Sequence, residues 1–212
     1  MTELRSLAGE FQRRFDEKMA AREIALTSSR KAIRASANAI RAIHRGEWDE
    51  AHRLQDDARA ALDTAGEALD SQPDVFHAGF VQDAQKEYAE SKLTQAVVKG
   101  EELPGPDHLR VTLPAYLNGM AEAIGEARRS ILDLLRKGDV GRSEDILRSM
   151  EDMYYLLVSM DYPDAVTGNL RRSTDVARGI MERTRGDLSV SIVQAGLRDA
   201  LERHTEALKE EK

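Results

Sequence analysis

Apolar residues recur along this chain at helical spacing, with no sustained apolar/polar alternation and no hairpin turn between β-branched runs. From about Leu4 to Arg45, Phe11, Phe15, Met19, Leu26, Ile33, Ile40 and Ile43 follow a helical repeat that Gly46 stops. A second helix is predicted from Asp49 to about Ser71, where Gln72-Pro73 interrupts the hydrogen-bond ladder. A third runs from Asp74 to about Lys99. The stretch Gly100 to Pro106, with two glycines and two prolines, reads as an interhelix loop before a fourth helix from Leu113 to Lys137. Ser143 is positioned to cap a fifth helix ending near Met160. Pro163 fits the first turn of a sixth, which ends near Gly186. A seventh, Asp187 to about Leu208, carries Leu188, Ile192, Val193, Leu197 and Leu201 before a charged tail, Lys209 to Lys212. The expectation is an all-α, single-domain bundle of seven helices spanning residues 1–212, with no 30–45-residue repeat to indicate a solenoid.

Composition narrows the chemistry. The chain is 41% hydrophobic but only 5% aromatic, so its core must be built from Ala, Leu, Ile, Val and Met. Zero cysteines exclude a disulfide scaffold, a thiol nucleophile, an iron–sulfur cluster and a thiolate zinc site. No apolar run approaches the roughly 20 residues of a membrane span, and the N-terminus is charged where a signal peptide is greasy, which predicts a soluble cytoplasmic protein with no membrane partner.

The net charge of −7 conceals one basic rod: from Ile24 to Gly46 there is no Asp or Glu, while Arg30, Lys31, Arg34, Arg41 and Arg45 are all cationic. Arg30, Arg34, Arg41 and Arg45 fall within about 60° on a helical wheel. Such a row suits a phosphate backbone read without regard to sequence, and equally an ordinary charged face paired with the acidic remainder. Some apparent motifs carry no chemistry. Asp49-Glu-Ala-His52 spells a helicase box without the strand or phosphate loop it needs, and Pro106 stands where a phosphate loop requires Lys. None of the five histidines has Glu three residues before it, so a di-iron bundle is not met.

The carboxylates are more informative. The third helix should present Val75, Phe76, Phe80, Ala84, Leu93, Val97 and Val98 as its apolar stripe, with Glu87 and Glu90 near the middle and Asp83 beside them. Burying unpartnered carboxylates costs several kcal/mol each. A divalent cation, arginines from neighbouring helices or a solvent-filled cavity would each compensate. On the fourth helix Leu113, Leu117, Met120, Ile124, Ile131 and Leu135 form the stripe. Glu122 and Glu126 project from roughly the opposite side, beside Ala115, Gly119 and Ala123, whose small size admits another backbone or an RNA chain. Two acidic pairs on different helices, if they converge, match the oxygen-ligand preference of Mg²⁺ or Mn²⁺.

Glu87-Tyr-Ala-Glu90, then the run Arg110 to Glu126 after a Pro/Gly loop, then Lys137-Gly-Asp-Val140, together with Arg22 to Arg34 and Ile43-His-Arg45, resemble the translin / translin-associated factor X family over most of the chain. The resemblance implies a translin-like seven-helix fold and homo-oligomers, typically octamers, whose acidic sites face an interior cavity. It also places the chain in the catalytic factor X branch, which has a Glu-x-x-Glu on the third helix and an acid four residues before a Glu on the fourth. That implies a Mg²⁺- or Mn²⁺-dependent endoribonuclease with Glu87, Glu90, Glu122 and Glu126 as metal ligands and catalytic acids. Where the family usually has Asp, this chain has Glu122, whose longer side chain implies a slightly wider site. The basic row Arg30, Arg34, Arg41 and Arg45 would hold RNA or single-stranded DNA, with His77, Lys86 and Lys92 near the acids as further phosphate contacts. The alternative implied by the same family is a single-stranded nucleic-acid-binding protein without turnover, like translin itself.

Overall fold

The computed structural model describes residues 2–210, and among them nine helices form and no strand. They are α1 (Thr2–Arg45), α2 (Trp48–Ala68), α3 (Pro73–Phe76), α4 (Phe80–Lys99), α5 (Pro106–Leu109), α6 (Leu113–Arg136), α7 (Val140–Val158), α8 (Asp164–Thr167) and α9 (Leu170–Glu210). The chain gathers into two compact units, Met1–Leu93 with Pro104–Gly119, and Thr94–Leu103 with Met120–Lys212.

In the first unit α1 packs along α2 through small side chains. Ala25, Ser29, Ala32, Ser36, Ala39 and Ile43 line the buried side of α1, and Ala51, Gln55, Ala58, Leu62 and Ala65 that of α2. Gly46 reverses the chain between them with φ of +73°, while its own N–H donates to the Ile43 carbonyl and that of Glu47 to the Ala42 carbonyl, which closes the end of α1. The apolar row of α1 runs out of partners toward the N-terminus: Phe11, Phe15 and Met19 are all more than half exposed.

The predicted third helix is two helices. Gly79 adopts φ of +100°, a conformation that breaks the ladder between α3 and α4. The Gln82 side chain then secures the start of α4: its Oε1 accepts from the Gly79 N–H at 3.2 Å and its Nε2 donates to the Phe76 carbonyl at 3.0 Å. The loop expected after Gly100 contains the short α5, whose end turns through Arg110 at φ of +51°. Arg59 of α2 holds that turn by donating to the carbonyls of Leu109 (3.0 Å) and Arg110 (3.3 Å), with its guanidinium over the Tyr88 ring. Gln85 Oε1 accepts from both the backbone N–H and the hydroxyl of Thr112, each at 3.0 Å. These contacts, together with the turn, aim the first residues of α6.

In the second unit α7 packs against α9. Asp139, rather than Ser143, caps α7, accepting from the Arg142 N–H at 3.0 Å; Ser143 is buried and its hydroxyl donates to the Asp139 carbonyl. The sixth and seventh predicted helices are divided elsewhere. Gly168 and Asn169, both with positive φ, end α8, and α9 then runs unbroken through Gly186. A mid-helix glycine costs about 1 kcal/mol relative to alanine. Here Arg128 bridges the residues around it, donating to Thr184 Oγ1 at 3.1 Å and Asp187 Oδ2 at 2.8 Å. Past Leu188 the apolar side chains Val193, Leu197 and Leu201 are exposed. The expected charged tail is still helical at Glu210; Glu211 and Lys212 lie outside the described residues.

Candidate metal centre and nucleic-acid interface

The centre grows from the way α4 and α6 pass each other. Glu87 and Glu90 are three residues apart on α4 and share a side of it. Around them the helix is enclosed on nearly every side: Tyr88, Ala89, Ser91, Leu93, Thr94 and Gln95 are all buried. A single apolar stripe therefore does not describe α4, and Asp83, expected beside the two glutamates, is exposed in its first turn. The first turns of α6 are equally enclosed, from Ala115 through Ala121, although Leu113, the predicted start of its stripe, is exposed. The small residues of α6 admit the α4 backbone: a Cβ on Gly119 would stand 2.7 Å from the Lys86 carbonyl oxygen, 3.0 Å from the Glu90 nitrogen and 3.1 Å from Ala89 Cβ.

Glu122 follows Gly119 by three residues on the same unbroken helix and so emerges on the same side. One carboxylate oxygen each from Glu87, Glu90 and Glu122 lies within 4.8 Å of the others. Glu90 is the buried member at 8% exposed, Glu87 is half-buried and Glu122 is more open. Oxygens sharing one Mg²⁺ at roughly 2.1 Å can be no more than about 4.2 Å apart, so the trio reaches that geometry with small side-chain rotations. Three negative oxygens at this separation repel one another, and the Lys86 ammonium, 3.5 Å from Glu87, offsets part of that charge. An all-oxygen donor set with one half-open side is the chemistry a hard divalent cation takes.

Glu126, one turn beyond Glu122 and half-buried, is not within the three-carboxylate group. His77 is exposed between α3 and α4, edge-on to Phe76 at 5.1 Å. Lys92 is directed at α2, its ammonium donating to Gln55 Oε1 at 3.2 Å while Gln55 Nε2 donates to the Ser91 carbonyl. Arg30, Arg34, Arg41 and Arg45 are all exposed on α1. Arg41 donates to Asn38 at 2.7 Å and Arg45 pairs with Glu47 at 2.5 Å, which holds the Glu47 carboxyl below its usual range. Arg30 and Arg34 form no ion pair among the described residues.

Two residues that spacing alone does not single out meet on the side of α4 turned to α2. Tyr88, between the two α4 glutamates, has its phenol pushed up by burial, and it underlies the Arg59 guanidinium. Arg59 itself is an unremarked cation in the sequence; only its contacts across 50 residues to Leu109 reveal it.

The protein is thus all-helical, with three carboxylates that could hold a cation gathered at a tight helix crossing. Comparison with solved structures places it more closely. The chain is 33% identical to AfC3PO, covering 88% of this chain and 97% of that one with a TM-score of 0.80, both for the crystal structure of AfC3PO and for its complex with duplex RNA. The crystal structure of apo-NeC3PO, at 20% identity and a TM-score of 0.73, shares the fold over 90% of this chain and 98% of that one. An uncharacterised protein of Methanocaldococcus jannaschii is 30% identical over 193 residues, 90% of this chain and 85% of that protein. No family model matches the chain. The chain belongs to the C3PO/translin family.

Proposed function

We propose that this protein is a divalent-metal-dependent endoribonuclease of the factor X type, in which Glu87, Glu90 and Glu122 hold Mg²⁺ or Mn²⁺. The observation that carries this reading is the gathering of three carboxylates from two helices within 4.8 Å. A cation bound there would supply a water of lowered pKa and positive charge for the scissile phosphate. Glu126, outside the trio and one turn beyond Glu122 on the same helix, takes the proton of the attacking water. Lys86, beside Glu87, contacts phosphate at the site, His77 contacts it farther along, and the exposed arginines of α1 hold the RNA backbone, while Lys92 is taken up by Gln55. The RNA complex of AfC3PO supports a nucleic-acid substrate for this chain. The exposed apolar rows on α1 and α9 support a homo-oligomer, an octamer by family resemblance, that covers them.

Incubating the purified protein with single-stranded or duplex RNA and Mg²⁺, then with EDTA, tests this directly. Cleavage should stop with EDTA and in Glu90→Gln and Glu126→Ala variants. Cleavage that survives EDTA overturns the metal reading. Salt-sensitive RNA binding without any cleavage identifies the protein as a nucleic-acid-binding module instead, a reading that the exposed Arg30 and Arg34 would also serve.

A further inference from the structure

We propose that Gly119 is the positioning residue that sets the gap between the carboxylates of α4 and the carboxylate of α6, and thereby the affinity and size preference of the cation site; this rests on the metal reading above. Gly119 lies against the α4 backbone between Lys86 and Glu90, closer than any side chain permits: a Cβ at 2.7 Å from the Lys86 carbonyl oxygen is well inside contact distance. The neighbour cannot yield cheaply, because the nearest atoms are the carbonyl oxygen and the Glu90 nitrogen of a helix ladder rather than the end of a flexible side chain. Relieving the overlap moves α6 outward by roughly 0.5 Å or more. Glu122 sits one turn from that point and Glu90 on the other side of it, so the displacement adds to the rotation these side chains already need to bring oxygens up to 4.8 Å apart onto one ion. Metal–oxygen distances tolerate only about 0.2 Å.

Gly125 provides an internal control. It lies on the same helix and gains the same helix propensity on mutation to alanine, but a Cβ there meets only Ile180 Cδ1 at an ordinary 3.7 Å. A general stiffening of α6 would affect both positions, whereas a gap-setting role belongs to Gly119 alone.

The test is titration of the full chain with Mn²⁺, reading free ion by electron paramagnetic resonance, followed by competition with Mg²⁺ and with Ca²⁺. Wild type and Glu122→Gln establish the site, and Gly119→Ala and Gly125→Ala address the gap. Gly119→Ala should bind Mn²⁺ at least about 10-fold more weakly, on the scale of a lost supporting contact. It should also compete relatively better with Ca²⁺, whose ligands stand at about 2.3–2.6 Å against about 2.1 Å for Mg²⁺. Gly125→Ala should match wild type. If wild type and Glu122→Gln differ as expected but Gly119→Ala binds like wild type, or if both alanine variants weaken equally, this inference fails alone. If wild type shows no saturable binding, or Glu122→Gln does not weaken it, the metal reading fails and takes the inference with it. Should Gly119→Ala lose its helical circular dichroism, Ala89→Ser, which enlarges the facing side of the crossing by one oxygen, decides the matter: unchanged Mn²⁺ affinity and Mg²⁺/Ca²⁺ preference in that variant overturn the proposal, and a shift toward Ca²⁺ upholds it.

Discussion

Glu90 and Arg34 are both charged residues on long helices, yet one is 8% exposed beneath the α4–α6 crossing and the other stands in solvent on α1 with no ion pair among the described residues. The acidic region is built from close packing, with a glycine admitting backbone to backbone and an arginine pinning the turn that precedes α6. Its geometry is therefore shared among many residues that carry no charge. The basic row is a set of independent side chains on an exposed face, and each contributes its charge with little help from its neighbours. Buried, jointly positioned groups should respond steeply and non-additively to mutation, whereas exposed groups should respond weakly and additively.

The largest consequence expected of this difference is chemical. Glu90→Gln should lower single-turnover RNA cleavage by about 10²–10⁴-fold with helicity intact; a variant within threefold of wild type would show that the buried carboxylate is structural. Next, Leu93→Ala, at a fully buried position three residues beyond Glu90, should destabilise the chain by about 2–5 kcal/mol in urea unfolding. Phe15→Ala, 65% exposed on α1, should cost less than about 0.5 kcal/mol in dilute monomeric protein. Equal losses would erase the contrast between the enclosed crossing and the open helix.

Arg59→Ala should cost about 1–3 kcal/mol by removing the donor to the Leu109 and Arg110 carbonyls. Lysine at that position should restore only part of it, because an ammonium that takes the place of the one guanidinium nitrogen serving both carbonyls gives up the second nitrogen's pairing with Asp63 and the planar group over Tyr88. Smaller still, Arg30→Ala and Arg34→Ala should each weaken RNA binding uniformly across sequences. Each should reduce the slope of log affinity against log salt by roughly 0.7–0.9, and the two losses should add. The smallest effect concerns α1 and α3. Lys18, 2.7 Å from Asp74, holds that carboxyl below its usual range. A lowered folded value stabilises the fold above the ordinary carboxylate range and ceases to do so as pH falls through it. Melting temperatures of wild type and Lys18→Ala should thus differ slightly near neutrality and converge in acid.

Much of this architecture is legible in one dimension. The spans of α1, α2 and α6, the loop before α5 and the pairing of Glu87 with Glu90 all follow from spacing, proline and glycine. The errors fall where a tertiary contact outweighs a local signal. Gly186 reads as a stop, but Arg128 holds the helix together across it. His77-Ala78-Gly79 reads as helix, but Gly79 turns and Gln82 restarts the ladder. Ser143 has the chemistry of a cap, but Asp139, four residues earlier, is the side chain that reaches a free N–H.

The sequence by itself determined that the protein is helical, that acids are paired on two helices and that cations are gathered on a third, because periodicity encodes which residues share one side of a rod. Only the tertiary structure decided which neighbour covers each side. It placed the α4 backbone, not solvent, against Gly119, drew Glu122 toward Glu87 and Glu90, and left the phenylalanines of α1 uncovered. Those outcomes depend on contacts between residues distant in the chain, whose separation is set by side-chain volume at the crossing, a quantity that no helical wheel contains.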